Sequence, residues 1–73
     1  MLDGMQSRAA RAALGWSLLD LANRTGLHVN TLAKFEGGND AKRSTMEKLL
    51  REFAKQGMEF PDRRTIRLPD IAA

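Results

Sequence analysis

The chain has 73 residues, a formal net charge of +3, one histidine and no cysteine. This length allows one small domain, and the composition excludes disulfides, cysteine zinc sites and His-rich metal clusters. No apolar run approaches the ~18 residues of a membrane-spanning helix, and the N-terminus lacks a signal-peptide pattern, so we expect a cytoplasmic protein without a cofactor.

Glycines divide the first half of the chain into segments of about three helical turns. Gly4, Gly15, Gly26 and Gly37 are 11 residues apart. Glycine is favoured just past a helix end because the residue there often has a positive φ. The spacing predicts helices over about 5–14, 17–25 and 28–36, and a fourth is predicted over 44–56.

The apolar pattern of each segment predicts which face is buried. In the first helix the small residues Ala9, Ala12 and Ala13 are expected to let a neighbouring helix approach closely. The pattern i, i+3, i+4, i+7 recurs in the second and fourth helices, and a shorter apolar face marks the third. These positions are Leu18, Leu21, Ala22 and Thr25; Met46, Leu49, Leu50 and Phe53; and Val29, Leu32, Ala33 and Phe35.

Capping residues support two of the helix starts. Ser17 is followed three positions later by Asp20, and Ser44 in the same way by Glu47. A hydroxyl at the N-cap accepts an orphan backbone N–H, and the acid interacts favourably with the positive end of the helix dipole. We therefore expect the second helix to start at Ser17 and the fourth at Ser44.

The pattern changes after Gly57. Residues 58–60 and 65–68 alternate with period two around a Pro-Asp-Arg-Arg turn, which is typical of a short β-hairpin. The alternative is a disordered basic tail. We divide the chain accordingly into a domain over 1–57 and a C-terminal extension over 58–73.

The segment 17–36 has the spacing of a helix-turn-helix. Ala22 precedes Gly26 by four residues and Leu32 follows it by six; these positions need a small residue for close helix crossing, a glycine for the turn and a large aliphatic for the core. The pattern resembles the Cro/cI-type (Xre) family of DNA-binding domains. The resemblance covers about 5–56 and includes Arg11 and Glu36, which pair in that family, the Glu-Gly-Gly-Asn run at 36–39, and Leu-Gly-Trp-Ser at 14–17.

This resemblance implies an all-α, lambda-repressor-like bundle of four or five short helices that binds double-stranded DNA as a homodimer. The third helix would lie in the major groove and regulate transcription through base contacts. The implied base contacts are His28, Val29, Asn30 and Lys34, and the implied phosphate contacts are Ser17, Thr31, Asn39, Lys42 and Arg43. Phe60, Ile66 and Leu68 are the expected apolar residues of the dimer interface.

Two features favour a different use of the same fold. The family often has glutamine after the cap of the second helix, where it fixes a phosphate, but this chain has Leu18 followed by Leu19. Residues 16–40 are also slightly acidic, with two basic side chains against three carboxylates. The alternative function is therefore binding to a regulatory protein partner, as in an anti-regulator or antitoxin. An enzyme is not expected, because the acids are explained by caps and by the Arg11–Glu36 pair.

Overall fold

A computed structural model describes residues 2–62 and 64–69. Residues 63 and 70–73 of the predicted C-terminal extension lie outside this range. The four predicted helices are present: α1 Gly4–Ala13, α2 Leu18–Thr25, α3 Val29–Glu36 and α4 Arg43–Lys55. The predicted all-α fold is confirmed. Within the described ranges, no helix has the length and hydropathy needed to cross a bilayer.

The core lies where α2 meets α3 and α4. Leu21, Leu32, Leu49 and Phe53 are fully buried there, as the periodicity of the three helices predicts. Met58, just after α4, is also buried. The segment after Gly57 therefore continues the core of the helical domain.

The buried face of α1 differs from the prediction. Ala9, Ala12 and Ala13 are exposed, whereas the inward residues are Gly4, Gln6, Ser7 and Ala10. The reason lies at Gly4, where a Cβ atom would overlap the carbonyl oxygen of Phe35. The first turn of α1 thus packs directly against the end of α3, and this approach fixes the rotation of the helix. Asp3 and Gln6 form a capping box at this start.

The predicted capping box of α4 is wrong. The helix begins one residue before Ser44, and its N-cap is Lys42, which makes no side-chain cap hydrogen bond. Ser44 is therefore inside the first turn. The first helical hydrogen bond runs from the Met46 N–H to the Lys42 carbonyl at 3.0 Å, so the chain enters the helix too early for the Ser44 hydroxyl to cap it.

The segment after α4 contains one antiparallel bridge in place of the predicted hairpin. Glu59 and Arg67 exchange two backbone hydrogen bonds of 3.0 and 2.8 Å, and no strand is formed in residues 2–62 or 64–69. The Asp62 carboxylate accepts hydrogen bonds from the Arg64 N–H at 2.8 Å and the Thr65 hydroxyl at 3.0 Å. This local turn curls the chain between the bridged residues and prevents a longer ladder.

Candidate nucleic-acid interface

The turn between α2 and α3 has the geometry that the sequence spacing predicts. Gly26 has a φ of +74°, which other residues rarely adopt. The Thr25 hydroxyl donates to the Leu21 carbonyl at 2.7 Å and accepts from the Leu27 N–H at 3.3 Å. Ala22 and Leu32 are buried on either side. The two helices therefore form a fixed helix-turn-helix.

One face of α3 is free for contact with a ligand. Asn30, Thr31 and Lys34 are exposed, while Val29 is half-buried and packs against the core. Ala33 is also exposed, although its sequence pattern placed it on the buried face. It lies three residues after Asn30 and therefore on the same side of the helix. The periodicity of the sequence therefore placed the Ala33 methyl group on the wrong side of α3.

His28 is the N-cap of α3. Its Nδ1 accepts a hydrogen bond from the Asn30 N–H at 3.2 Å. A ring nitrogen that accepts carries no proton, so in the neutral ring Nε2 bears it and acts as a donor. The exposed imidazole thus offers one N–H at the start of the helix, a group that suits a phosphate oxygen or a base acceptor.

The start of α2 is capped as predicted. The Asp20 carboxylate of this capping box partly neutralises the positive end of the helix dipole. The Ser17 Oγ accepts the Asp20 N–H at 3.0 Å, and the Asp20 carboxylate accepts the Ser17 N–H at 2.8 Å. The bond from the Ser17 N–H, together with the Ser17 side chain, lowers the pKa of the Asp20 carboxylate. Leu18 is half-buried against the core, whereas Leu19 is 59% exposed. A phosphate at this helix end would meet the remaining N–H groups and one carboxylate.

The three candidate phosphate contacts beyond α3 lie between the end of α3 and the start of α4; they are Asn39, Lys42 and Arg43. Asn39 closes the end of α3, because its backbone N–H and its side-chain amide both donate to the Lys34 carbonyl, at 3.0 and 3.1 Å. Lys42 and Arg43 are exposed at the start of α4. Asn39 therefore has a structural role, whereas Lys42 and Arg43 form no ion pair within the part of the chain that the structure describes.

Arg11 connects the ends of the two helices of the motif. Its Nη2 lies 2.9 Å from Glu36 Oε1 and its Nε 3.2 Å from Oε2, in a bidentate ion pair. Its Nη1 donates to the Trp16 carbonyl at 3.0 Å, and the Ser7 hydroxyl donates to Glu36 at 3.1 Å. The hydrogen bonds to Glu36 raise the pKa of Arg11. Arg11 thus holds the residue before the α2 cap and the last residue of α3 in one arrangement.

The predicted dimer residues differ in exposure. Phe60 is half-buried, and its ring packs edge-on against Phe53 of the same chain, with centroids 5.7 Å apart. Ile66 is half-buried and Leu68 is 53% exposed. Phe60 therefore supports its own domain, and in residues 58–62 and 64–69 of the C-terminal tail the exposed apolar surface is largest at Leu68.

Comparison with protein families gives a match over most of the chain. The helix-turn-helix family model matches residues 8–58, more than half of the chain, and spans all of α2, α3 and α4. A search of curated proteins finds no match. The matching family is the Xre/Cro/cI type, a family of DNA-binding regulators and not of enzymes. The chain therefore belongs to the Cro/cI-type helix-turn-helix family of DNA-binding proteins.

Proposed function

We propose that the protein is a sequence-specific transcriptional regulator that binds operator DNA as a homodimer, with α3 in the major groove. The observation that carries this proposal is the row of exposed polar side chains on α3, Asn30, Thr31 and Lys34, on a helix packed against α2 through Ala22 and Leu32. An Asn side chain pairs with adenine through two hydrogen bonds, and Lys reaches guanine or phosphate. His28 adds an N–H donor at the same end.

The cations after α3 support the orientation of the DNA. Lys42 and Arg43 are exposed at the start of α4, where the free N–H groups of the helix also favour an anion. Phosphate contacts of this kind fix the position of a protein on the duplex but carry no sequence information. We assign Lys42 and Arg43, with Ser17 and Thr31, to this role.

The tail supplies the proposed dimer interface. The N–H and carbonyl of Arg67 both form hydrogen bonds with Glu59. In an extended chain, the N–H and carbonyl groups of the neighbouring residues 66 and 68 therefore point to the side away from Glu59. This edge, with the Leu68 side chain, suits pairing with the same segment of a second copy. A dimer would present two α3 helices about 34–36 Å apart to successive major grooves.

Selection of binding sites from random duplex DNA tests the proposal. We expect enrichment of one palindromic sequence, and the Asn30→Ala/Lys34→Ala variant should lose at least about 1 kcal/mol of binding free energy. The matched control is Asn23→Ala/Lys48→Ala, which removes the same side-chain types from exposed positions of α2 and α4. Failure of the folded protein to enrich any sequence at moderate salt would overturn the proposal.

Sedimentation velocity tests the dimer separately. Leu68→Asp should convert the dimer to monomer, while Leu19→Asp, an equally apolar and exposed position, should leave it unchanged. If the wild-type chain is monomeric at high concentration, the proposed homodimer is refuted, while the proposed DNA contacts are not affected by this result.

Leu19 favours the second candidate function. A leucine that is 59% exposed beside the α2 cap suits an apolar partner surface, and binding of a regulatory protein there would block the DNA-facing end of the motif. This function predicts that Asn30→Ala/Lys34→Ala leaves the activity in cells intact and that Leu19→Asp abolishes it. The opposite result would exclude it.

A further inference from the structure

A second charged surface lies on the other elements of the fold. Four cations from α2 and α4 surround a cleft of about 100 Å³, with Glu52 and Thr25 also in its lining. We call this surface the basic cleft; its cations are Arg24, Lys48, Arg51 and Lys55. Its position on α2 and α4 separates it from the exposed face of α3.

The positive charge of the basic cleft is only partly compensated. Glu52 is the one carboxylate in the lining, and its oxygens lie 3.9 Å from Arg24 Nη1 and 4.0 Å from Lys55 Nζ. Within residues 2–62 and 64–69, no carboxylate lies within 4.0 Å of Lys48 or Arg51. Four cations against one acid leave a local excess as large as the net charge of the whole chain, +3.

One of the four cations is held in place before any ligand binds. The Arg24 guanidinium carbon lies 4.2 Å from the centroid of the Trp16 ring, and that ring stacks on Phe53 at 6.2 Å. A cation over an aromatic face is attracted by the ring quadrupole. The aromatic stack therefore reduces the side-chain entropy that Arg24 would lose on binding an anion.

Size and position identify the type of ligand. A cleft of about 100 Å³ is well below the ~300 Å³ of sites for small organic ligands, so it accommodates a side chain and not a nucleotide. Arg51 follows Arg43 by eight residues, about 12 Å along the helix, so it lies more than two turns beyond the cation proposed to contact the DNA backbone. We propose that the basic cleft binds an acidic segment of a partner protein through its carboxylates, a role beyond DNA binding.

Binding of a defined acidic peptide tests this proposal. The probe is a fluorescein-labelled ten-residue peptide that alternates Glu and Ser, compared with a Gln/Ser peptide of the same length. Anisotropy is measured near physiological salt, about 0.15 M, where non-specific surface attraction is largely screened. We expect binding of the Glu/Ser peptide only.

Two variants of equal charge locate the binding surface. Lys48→Gln/Arg51→Gln alters the basic cleft, and Lys42→Gln/Arg43→Gln removes the same charge from the proposed DNA side. All four residues are exposed, so both variants should keep the circular dichroism and melting temperature of the wild type. We expect the first variant to bind the peptide about tenfold more weakly and the second less than about twofold, with the reverse order for duplex DNA.

Four results would overturn the proposal. The first is that the wild type does not bind the peptide, and the second is that both variants lose peptide affinity equally. The third is that the cleft variant loses as much DNA affinity as the Lys42→Gln/Arg43→Gln variant. The fourth is that the cleft variant no longer self-associates. The second result would mean that only net charge matters. The third would assign the basic cleft to DNA, and the fourth to a second copy of the chain.

Discussion

The side-chain amide of Gln6, in the first turn of α1, donates a 2.9 Å hydrogen bond to the backbone carbonyl of Thr65. The same Nε2 donates to the Asp62 carbonyl, and the Gln6 Oε1 accepts the Asp3 N–H at 3.0 Å. One buried amide thus joins the start of the first helix to the segment that carries the proposed dimer edge. Tail and domain are therefore expected to unfold together.

Gln6→Glu should release the tail. The carboxylate has the same shape and still accepts from Asp3, but it cannot donate to the two carbonyls, and Gln6 is only 3% exposed. Loss of these bonds should cost about 1–3 kcal/mol. Hydrogen exchange of residues 58–69 and the free energy of unfolding measure the change. Unaltered exchange in the tail would show that Phe60 and the bridge hold it without Gln6.

Arg11→Gln should destabilise the fold strongly, because Glu36 would keep a buried charge without its cation. The two side chains are only 17% and 6% exposed, and breaking a buried pair from one side costs about 3 kcal/mol or more. The matched control is Arg67→Gln, since the Arg67–Glu59 pair is 65% and 64% exposed and should contribute less than about 1 kcal/mol. Chemical denaturation measures both. Equal effects of the two substitutions would contradict a bracing role for Arg11.

His28 can be tested as a cap and as a DNA contact independently. His28→Ser replaces the imidazole by a preferred N-cap residue, so the melting temperature should stay the same or rise. DNA affinity should fall because the Nε2 donor is lost. His28→Ala should lower both. If His28→Ser binds DNA as tightly as the wild type, the imidazole serves only as a cap.

Asp20 gives a dependence of stability on pH. Its hydrogen bonds with Ser17 lower its pKa in the folded state, so the charged carboxylate stabilises the fold. This contribution is complete above the ordinary aspartate pKa of ~3.9 and is lost as the pH falls through the lowered value. The melting temperature of the wild type should therefore exceed that of Asp20→Asn at neutral pH, and the two should converge at strongly acidic pH.

Asp62 provides the control for this experiment. Hydrogen bonds from the Arg64 N–H and the Thr65 hydroxyl also lower the pKa of Asp62. Asp62 lies in the C-terminal tail, far from Asp20 in sequence. Asp62→Asn should give a similar pH dependence, and the effects of the two substitutions should add because the groups share no partner. A difference between wild type and Asp20→Asn that stays constant down to the lowest pH would contradict the assigned role of the carboxylate.

The candidate interface was predictable from sequence where local chemistry fixes it. Ser17 and Asp20 cap α2 with bonds between residues three positions apart. Ala33 was assigned to the wrong face, because a methyl group is compatible with either side of a helix and its position depends on how α3 is rotated. The basic cleft could not be predicted from the sequence either, since its cations come from two helices that meet only in the folded chain.

The sequence by itself determined the approximate positions of the four helices and the helix-turn-helix, because the glycine spacing, the Ser17 cap and the positions Ala22, Gly26 and Leu32 act over one or two turns. The tertiary structure decided the rest. The alanines of α1 left its buried face undefined until Gly4 met the backbone of Phe35. The 58–68 segment forms one bridge and not a hairpin, because the Asp62 carboxylate holds a local turn between the bridged residues and Gln6, far away in sequence, binds the carbonyls at both ends of that turn.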